Sequence, residues 1–407
     1  MSERQEVPGS EPARWSLAAR IAFRFLFSYF TLYFLLPALA LHNDFLREKY
    51  FDFWDAVVVW ADEAVVHVPY ELAFDERGVS NAPYGWVLFL CFVPLAAAAA
   101  VVWSVLDRKR LHYARLHAWL RLAVRLMLAG AMIRYGTLKL IPAQMTAPPP
   151  LGVMVQRLGD IFPNHLLWWT VGASPPFERA TGLAELLGGV LLLVPRTTLL
   201  GALICAANML LVFLLNLCYD VPVKLPSLHL LVMAVILIAP DLRRLADVFL
   251  FNRRAEPSRM PPLFQRKWLD RVPHVLLLLF GLYSIKSGLE LAAGRYKMMH
   301  PPRPPLYGLW SVEGFARNGK DVPLYTEPDR WRLVLFQGPG SLRVEQMAGA
   351  WKSYELDLDM EKKTMRLGPS TFSFEQPEKD VLVLDGQLEG RPVRAKLRKM
   401  PLIRRTM

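Results

Sequence analysis

Residues 181–240 read TGLAELLGGVLLLVPRTTLLGALICAANMLLVFLLNLCYDVPVKLPSLHLLVMAVILIAP, and this stretch decides the fold. Three apolar runs are separated by two short polar segments, PRTT and YDVPVK. A helix needs about 20 mostly apolar residues to cross the hydrocarbon core of a bilayer. Because Pro222 interrupts regular helical hydrogen bonding, YDVPVK is predicted to form a tight turn between two membrane helices.

The composition of the whole chain is typical of a membrane protein. Its 407 residues are 53% hydrophobic and their mean hydropathy is +0.24, which is more apolar than an ordinary soluble enzyme. The net charge of +12 does not predict a nucleic-acid partner, because Lys and Arg cluster between the apolar runs, as the positive-inside rule expects. The three cysteines, Cys91, Cys205 and Cys218, lack CxxC spacing. Neither a disulfide framework nor a metal site is therefore predicted.

The predicted fold class is a polytopic α-helical membrane bundle of about seven transmembrane helices, followed by a small antiparallel β barrel or sandwich. The candidate membrane helices are residues 18–41, 84–106, 119–141, 179–194, 198–217, 225–240 and 273–294. No small-residue cleavage site follows the first of them, so we interpret it as a retained anchor rather than a signal peptide. Residues 1–17 then form a cytoplasmic N-terminal tail and residues 18–299 form the bundle.

Loop charges predict the orientation of the bundle. Residues 107–118 carry four Lys or Arg residues and 241–271 carry eight, which indicates cytoplasmic loops. Residues 42–83 hold nine acids against three bases, and 142–177 contain Arg157 as their single base, which indicates loops on the outer side. Within the outer segment, residues 50–66 are too charged to span and predict an amphipathic interfacial helix. This alternation predicts a cytoplasmic N-terminus and an extracytoplasmic C-terminus.

The pattern changes after the bundle. Residues 300–407 contain short alternating segments such as WRLVLF, YELDLDM and TFSFE, separated by turn signals such as GPGS and DG. This alternation predicts an extracytoplasmic β-rich domain, built as a small barrel or sandwich. The tripeptide from Gly308 to Trp310 also resembles the GxW motif at the first strand of lipocalins.

Polar side chains interrupt the predicted helices at similar depth. Ionisable groups in hydrocarbon are costly unless they face a partner or water, so each is a functional-site hypothesis. Convergence at the outer end of the bundle predicts a small-molecule binding site there. The residues of this predicted outer-leaflet cluster are Arg134, Tyr135, Lys139, Glu185, Asn208, Asn216, Asp220, Lys224 and His229.

Several of these polar residues also have a structural interpretation. Lys139 can extend its ammonium group to the interface, and Asn208 can hydrogen-bond between helices. In the last helix, Lys286 and Glu290 have i,i+4 spacing and can pair with each other. No HExxH, Walker A or GxSxG motif occurs, so the catalytic residues, if any, are unknown.

The residues RYGTLKLIPAQ at 134–144, followed by GASPPFERATGLAELLGG and onward to DLRRL at 241–245, resemble the DoxX-like family of bacterial membrane proteins. The resemblance covers about 134–245. A longer subgroup adds N-terminal helices and a C-terminal β domain, and stretches like YGxxK, RRTTxLGA and NxCYDVPVK recur in it. Pro195 replaces the first arginine of the second stretch, a minor departure.

The resemblance implies a polytopic protein of the bacterial plasma membrane, but it carries no established set of catalytic residues. The family is named after a resemblance to a membrane subunit of thiosulfate:quinone oxidoreductase, so quinone is the cofactor that it suggests. The leading hypothesis is a protein that binds a quinone or lipid headgroup as an accessory to membrane redox chemistry. Two alternatives remain: a scaffold or assembly factor that holds an extracytoplasmic partner through the β domain, and a small-solute transporter. The predicted partners are the lipid bilayer and a membrane or extracytoplasmic protein.

Overall fold

The computed structural model describes residues 14–37, 43–68, 83–145, 151–257, 272–338 and 340–401. Most of the predicted tail 1–17, the end of the first predicted helix, and the second half of the basic loop 241–271 lie outside the described residues. The chain divides into two compact units. The first contains most of the helices, and the second contains the β domain.

Ten helices are described. Their bounds are α1 Leu17–Phe30, α2 Asp44–Ala61, α3 Pro83–Leu106, α4 Ala114–Leu140, α5 Pro163–Gly172, α6 Pro175–Leu193, α7 Thr198–Cys218, α8 Lys224–Ile238, α9 Leu242–Phe249 and α10 Val272–Met299. The first two continue into short π-helical turns at Thr31–Leu35 and Asp62–Val66. Every apolar segment selected from the sequence is helical over its described residues, apart from the last residue of two segments.

Six of these helices are long and apolar enough to cross a membrane: α1, α3, α4, α7, α8 with α9, and α10. The chain is therefore a multi-pass membrane protein, and the predicted fold class is confirmed. The remaining predicted span corresponds to α6, which is not among the six. It carries Glu178, Arg179 and Glu185 within 19 residues, and these charges lower its hydropathy.

The contacts of α6 nevertheless run along its whole length between two of the six helices. A Cβ atom added to Gly182 would meet α4 near Lys139, whereas one at Gly189 would meet α4 near Ile133. Gly188 likewise faces Cys205 of α7. Because contacts that move forward on α6 move backward on α4, the two helices are antiparallel, which supports α6 as the seventh crossing.

The predicted interfacial helix is present as α2. Its buried residues, Trp54, Val58 and Ala61, lie on one face, whereas Phe53 and Trp60 are exposed. Trp54 packs edge-on against a phenylalanine of α3, with ring centroids 4.8 Å apart. An amphipathic helix with exposed aromatic residues is typical of the membrane interface.

The C-terminal domain is a closed antiparallel barrel, which decides between the two predicted architectures. The strands are β1 Gly308–Arg317, β2 Lys320–Asp321, β3 Trp331–Gly338, β4 Ser341–Gln346, β5 Trp351–Asp359, β6 Thr364–Leu367, β7 Ser370–Glu378, β8 Val381–Leu388 and β9 Arg391–Lys399. Each long strand pairs with the next, and β1 also pairs with β9. The eight long strands therefore close on themselves, while β2 forms only a short hairpin with the end of β1.

Alternating side chains fill the barrel. Trp310, Phe336 and Phe372 are fully buried in its core. Lys399 of the last strand lies over the ring of Trp310, with the ammonium nitrogen 5.3 Å from the centroid. The GxW tryptophan thus serves as a packing residue, and the aromatic side chains occupy the centre of the barrel.

The β-domain unit also contains a segment from between α4 and α6. Leu151 packs with Leu309, Leu333 and Leu335, and the backbone N–H of Gly152 donates to Gln337 Oε1 at 3.2 Å. The region predicted as an outer loop therefore supplies an apolar cover for part of the barrel. Gly152 and Gln337 are 185 positions apart, so no local sequence pattern predicts this contact.

Candidate functional site

The predicted outer-end residues include one buried ion pair between α4 and α6. Lys139 Nζ donates to Glu185 Oε1, and the two side chains are only 8% and 2% exposed. Gly136 and Gly182, one turn away on each helix, permit this approach. A Cβ atom at Gly136 would lie 2.6 Å from the backbone nitrogen of Leu186. A larger residue at either glycine would hold the two backbones apart, so the ion pair depends on both glycines.

A second acid lies on the same helix, two turns before Glu185, and was not selected from the sequence. Glu178, in the first turn of α6, is completely buried, and its Oε1 accepts the backbone N–H of Met145 at 3.1 Å. Three buried oxygens of α6 and of the segment after α4 have no hydrogen-bond partner among the described residues: Glu178 Oε2, Glu185 Oε2 and Gln144 Oε1. Buried polar atoms normally have partners, so these unpaired acceptors indicate a missing donor.

The turn between α7 and α8 explains three other predicted residues. Asp220 adopts a left-handed conformation with φ of 53°, which aspartate tolerates better than most residues. Its exposed carboxylate accepts a hydrogen bond from Lys224, at the start of α8. Buried Asn216 donates to Ser227 Oγ at 3.0 Å and so ties the end of α7 to α8. These contacts close the turn, which is a structural role.

His229 is part of an aromatic cluster deep in the first unit. Its Nδ1 lies 2.7 Å from the carbonyl oxygen of Leu225, which can only accept, so Nδ1 carries the hydrogen. In the neutral ring, Nε2 then accepts from the Tyr29 hydroxyl at 2.5 Å. The Tyr33 ring stacks on the imidazole, with centroids 3.9 Å apart and planes 3° apart. The environment therefore fixes one tautomer and one ring orientation.

The other predicted residues do not join these groups. Arg134 is exposed, and Tyr135 packs at the edge of a small apolar cluster. The side chain of Asn208 donates to the carbonyl of Ile204 in its own helix. Among the described residues, hydrogen bonds and ion pairs connect two couples within the predicted cluster, Lys139 with Glu185 and Asp220 with Lys224.

A cleft lies near the N-terminal end of α4, between α1, α4 and α8. Its volume is about 910 Å³, within the range of small-molecule pockets. The walls are mostly apolar, whereas His117, Arg121, Asp241 and Arg244 lie at the polar end. Arg244 donates to Asp241. Arg121 is only 8% exposed, and its buried Nη1 has no hydrogen-bond partner among the described residues.

Sequence reasoning could have found some of the residues that it missed. Arg121 lies inside the third predicted span, so the rule that selected Lys139 applies to it equally. Glu178 was overlooked because it lies just before the segment 179–194. Tyr29 carries no distinguishing signal in the aromatic-rich stretch FRFLFSYFTLYF. Its pairing with His229 joins residues that are 200 positions apart.

The membrane-spanning helices, the buried ion pair and the barrel define a multi-pass integral membrane protein with an appended β domain. Over 133 residues the chain is 35% identical to the uncharacterized protein YwoB of Bacillus subtilis (strain 168). The matched part is 33% of this chain and 81% of YwoB. The chain therefore belongs to the family of YwoB. No family model matches the chain, and no solved structure matches it either.

Proposed function

We propose that the protein is a DoxX-like protein of the bacterial plasma membrane that binds a quinone or a lipid headgroup as an accessory to membrane redox chemistry. The observation that carries this proposal is the cleft between α1, α4 and α8. Apolar walls suit an isoprenoid or acyl chain, and the polar end suits a headgroup that accepts hydrogen bonds. The residues of the outer-leaflet cluster mostly bond to local partners, which favours the cleft as the binding place.

Arg121 is the side chain that favours this chemistry most strongly. A buried guanidinium nitrogen without a partner is costly, and a quinone carbonyl or a phosphate oxygen would satisfy it. Arg244 is already paired with Asp241, so its charge is partly balanced. The charge that remains at this end of the cleft is therefore positive, which suits an acceptor or anionic headgroup.

A titration with a short-chain ubiquinone analogue tests the quinone. The full-length protein is placed in nanodiscs of zwitterionic lipid, and quenching of tryptophan fluorescence is followed, since Trp15 lines the cleft. Saturable quenching is expected in the wild type, with at least a tenfold weaker apparent affinity in Arg121→Gln. Arg115→Gln, an exposed position on the same helix, is the matched control and should bind normally. Equal affinity in all three proteins would show that Arg121 does not contribute to binding of the quinone.

A second experiment distinguishes a lipid from a quinone. Native mass spectrometry of protein purified in mild detergent should show a retained small molecule, which Arg121→Gln loses and Arg115→Gln keeps. A retained quinone supports the redox role. A retained anionic phospholipid with no saturable quinone quenching identifies the cleft as a lipid site. If neither molecule is retained in an Arg121-dependent way, the cleft is not the binding place.

We also propose that the N-terminus is cytoplasmic and that the β domain is extracytoplasmic. Seven crossings, with α6 counted, and the basic residues between α3 and α4 support this orientation. Reporter fusions of green fluorescent protein and alkaline phosphatase after residue 401 should give phosphatase activity without fluorescence. The reverse result would mean that α6 does not cross, or that the whole bundle is inverted.

A further inference from the structure

The two buried acids of α6 would carry more negative charge, if both were ionised, than the buried cations in contact with them neutralise. Glu178 is completely buried and Glu185 is 2% exposed, whereas Lys139 is the only buried cation bonded to either of them among the described residues. Two ionised carboxylates and one ammonium group would leave one uncompensated negative charge. A buried group in this position binds a proton rather than remain charged, because desolvation of an unpaired ion is so unfavourable.

The groups around the acids identify the one that accepts the proton. Glu185 touches the ammonium group of Lys139, which stabilises its ionised form. Among the described residues, the hydrogen bonds that Glu178 accepts come from neutral backbone N–H groups, those of Met145 and Gln144. The charges that face it are Lys139, at longer range, and Arg179; the Arg179 side chain is exposed and therefore screened by solvent or headgroups. Cys205 of α7 lies against α6 at Gly188 and adds no cation to this region.

The unpaired oxygens agree with a proton at this position. A carboxylate can only accept hydrogen bonds, whereas a carboxylic acid also donates one. Protonation would make one Glu178 oxygen a donor, whereas in the ionised form both oxygens need donors and Oε2 has none among the described residues. The described residues hold no group of three or more His, Cys, Asp or Glu side chains that could bind a metal ion, which favours a proton as the cation that this acid takes up.

We propose that Glu178 is a membrane-embedded proton-binding site, two helical turns from the Lys139 and Glu185 ion pair on α6. The site is separate from the proposed amphiphile cleft. Arg121 and Lys139 are 18 residues apart on α4, which corresponds to about 27 Å along the helix axis. The protein thus binds a proton near one end of the bundle whether or not the cleft holds a quinone or lipid.

Infrared spectroscopy of the full-length protein in nanodiscs tests the proposal. At neutral pH the wild type should show a protonated carboxyl C=O band that shifts in deuterium oxide. Glu178→Gln should lose this band and Glu178→Asp should shift it. Glu290→Gln is the matched control, because the Glu290 side chain is 67% exposed. A wild type without such a band, or an undiminished band in Glu178→Gln, would overturn the proposal.

Thermal unfolding gives an independent readout. Glutamine has the shape and hydrogen-bonding capacity of a protonated glutamate, so Glu178→Gln should keep the wild-type melting temperature. Exchange of sodium for choline at constant ionic strength should leave the wild-type value unchanged. A sodium-dependent melting temperature that Glu178→Gln abolishes would identify a metal-cation site instead. A large loss of stability in Glu178→Gln would show that the carboxylate is ionised.

Discussion

Replacement of Lys139 by methionine is the most informative single perturbation of the bundle. Methionine keeps the length of the aliphatic stem but removes the ammonium group, so the loss is mainly electrostatic. In the native protein this group bonds to Glu185, which is 2% exposed and whose Oε2 has no partner within the described part of the chain. The variant therefore leaves a buried carboxylate with no cation in contact.

The expected cost follows from this burial. Removal of one partner from a buried ion pair destabilises a protein by about 3–5 kcal/mol. Lys286 provides the matched control, because its 3.8 Å pair with Glu290 is 76% and 67% exposed, and such pairs contribute about 0–1 kcal/mol. Lys139→Met should thus be at least about 2 kcal/mol less stable than Lys286→Met. Combination with Glu185→Leu should recover much of the loss, because no charge is then left unpaired.

Equilibrium unfolding in mixed detergent micelles, followed by circular dichroism and tryptophan fluorescence, measures these differences. All four proteins are compared at one pH and one detergent composition. If Lys139→Met costs no more than Lys286→Met, the ion pair is not desolvated as the structure indicates. If the double variant is less stable than Lys139→Met, the loss comes from packing rather than from an unpaired charge.

Three further variants test other contacts by the same unfolding assay. Gly136→Ala should cost about 1–3 kcal/mol, because its Cβ would lie 2.6 Å from a backbone atom of α6. Gly294→Ala is the control and should be neutral or slightly stabilising, because its Cβ would meet nothing within 4 Å. Equal effects of the two substitutions would contradict the close approach of α4 and α6. His229→Phe should cost about 1–3 kcal/mol, because the Tyr29 hydroxyl and the carbonyl oxygen of Leu225 lose their hydrogen-bond partner. Tyr29→Phe in the same background should restore part of the lost stability, and no rescue would argue against the hydrogen bond between Tyr29 and His229. Arg24→Met removes a 2%-exposed guanidinium with four hydrogen bonds and should cost at least about 1.5–3 kcal/mol; wild-type stability would show that water replaces these bonds.

Much of the fold could be predicted because membrane helices and barrel strands leave simple periodic signals. The apolar runs on both sides of YDVPVK became α7 and α8, and Pro222 with the left-handed Asp220 formed the predicted turn. The alternation in TFSFE became the alternately buried strand β7. Closure of the barrel through β1 and β9 could not be read from the chain, because that pairing joins residues about 80 positions apart.

The candidate site was predictable only in part. Lys139 and Glu185 were selected by their charge and approximate depth, and the structure brings them together. Depth alone does not give the direction in which a side chain points around a helix, so Arg134 was grouped with them although it is exposed. Glu178 and Arg121 are distinguished by their burial and their unpaired atoms, which are properties of the tertiary structure.

The sequence by itself determined the membrane helices, the β domain and the polar residues that interrupt the bundle, because local hydropathy and turn chemistry specify these features. The tertiary structure decided which polar groups meet, which remain unpaired and where a cleft opens. These properties depend on helix rotation and on the close approach that Gly136 and Gly182 permit. They arise from contacts between distant residues, and no local pattern encodes the environment that such contacts create.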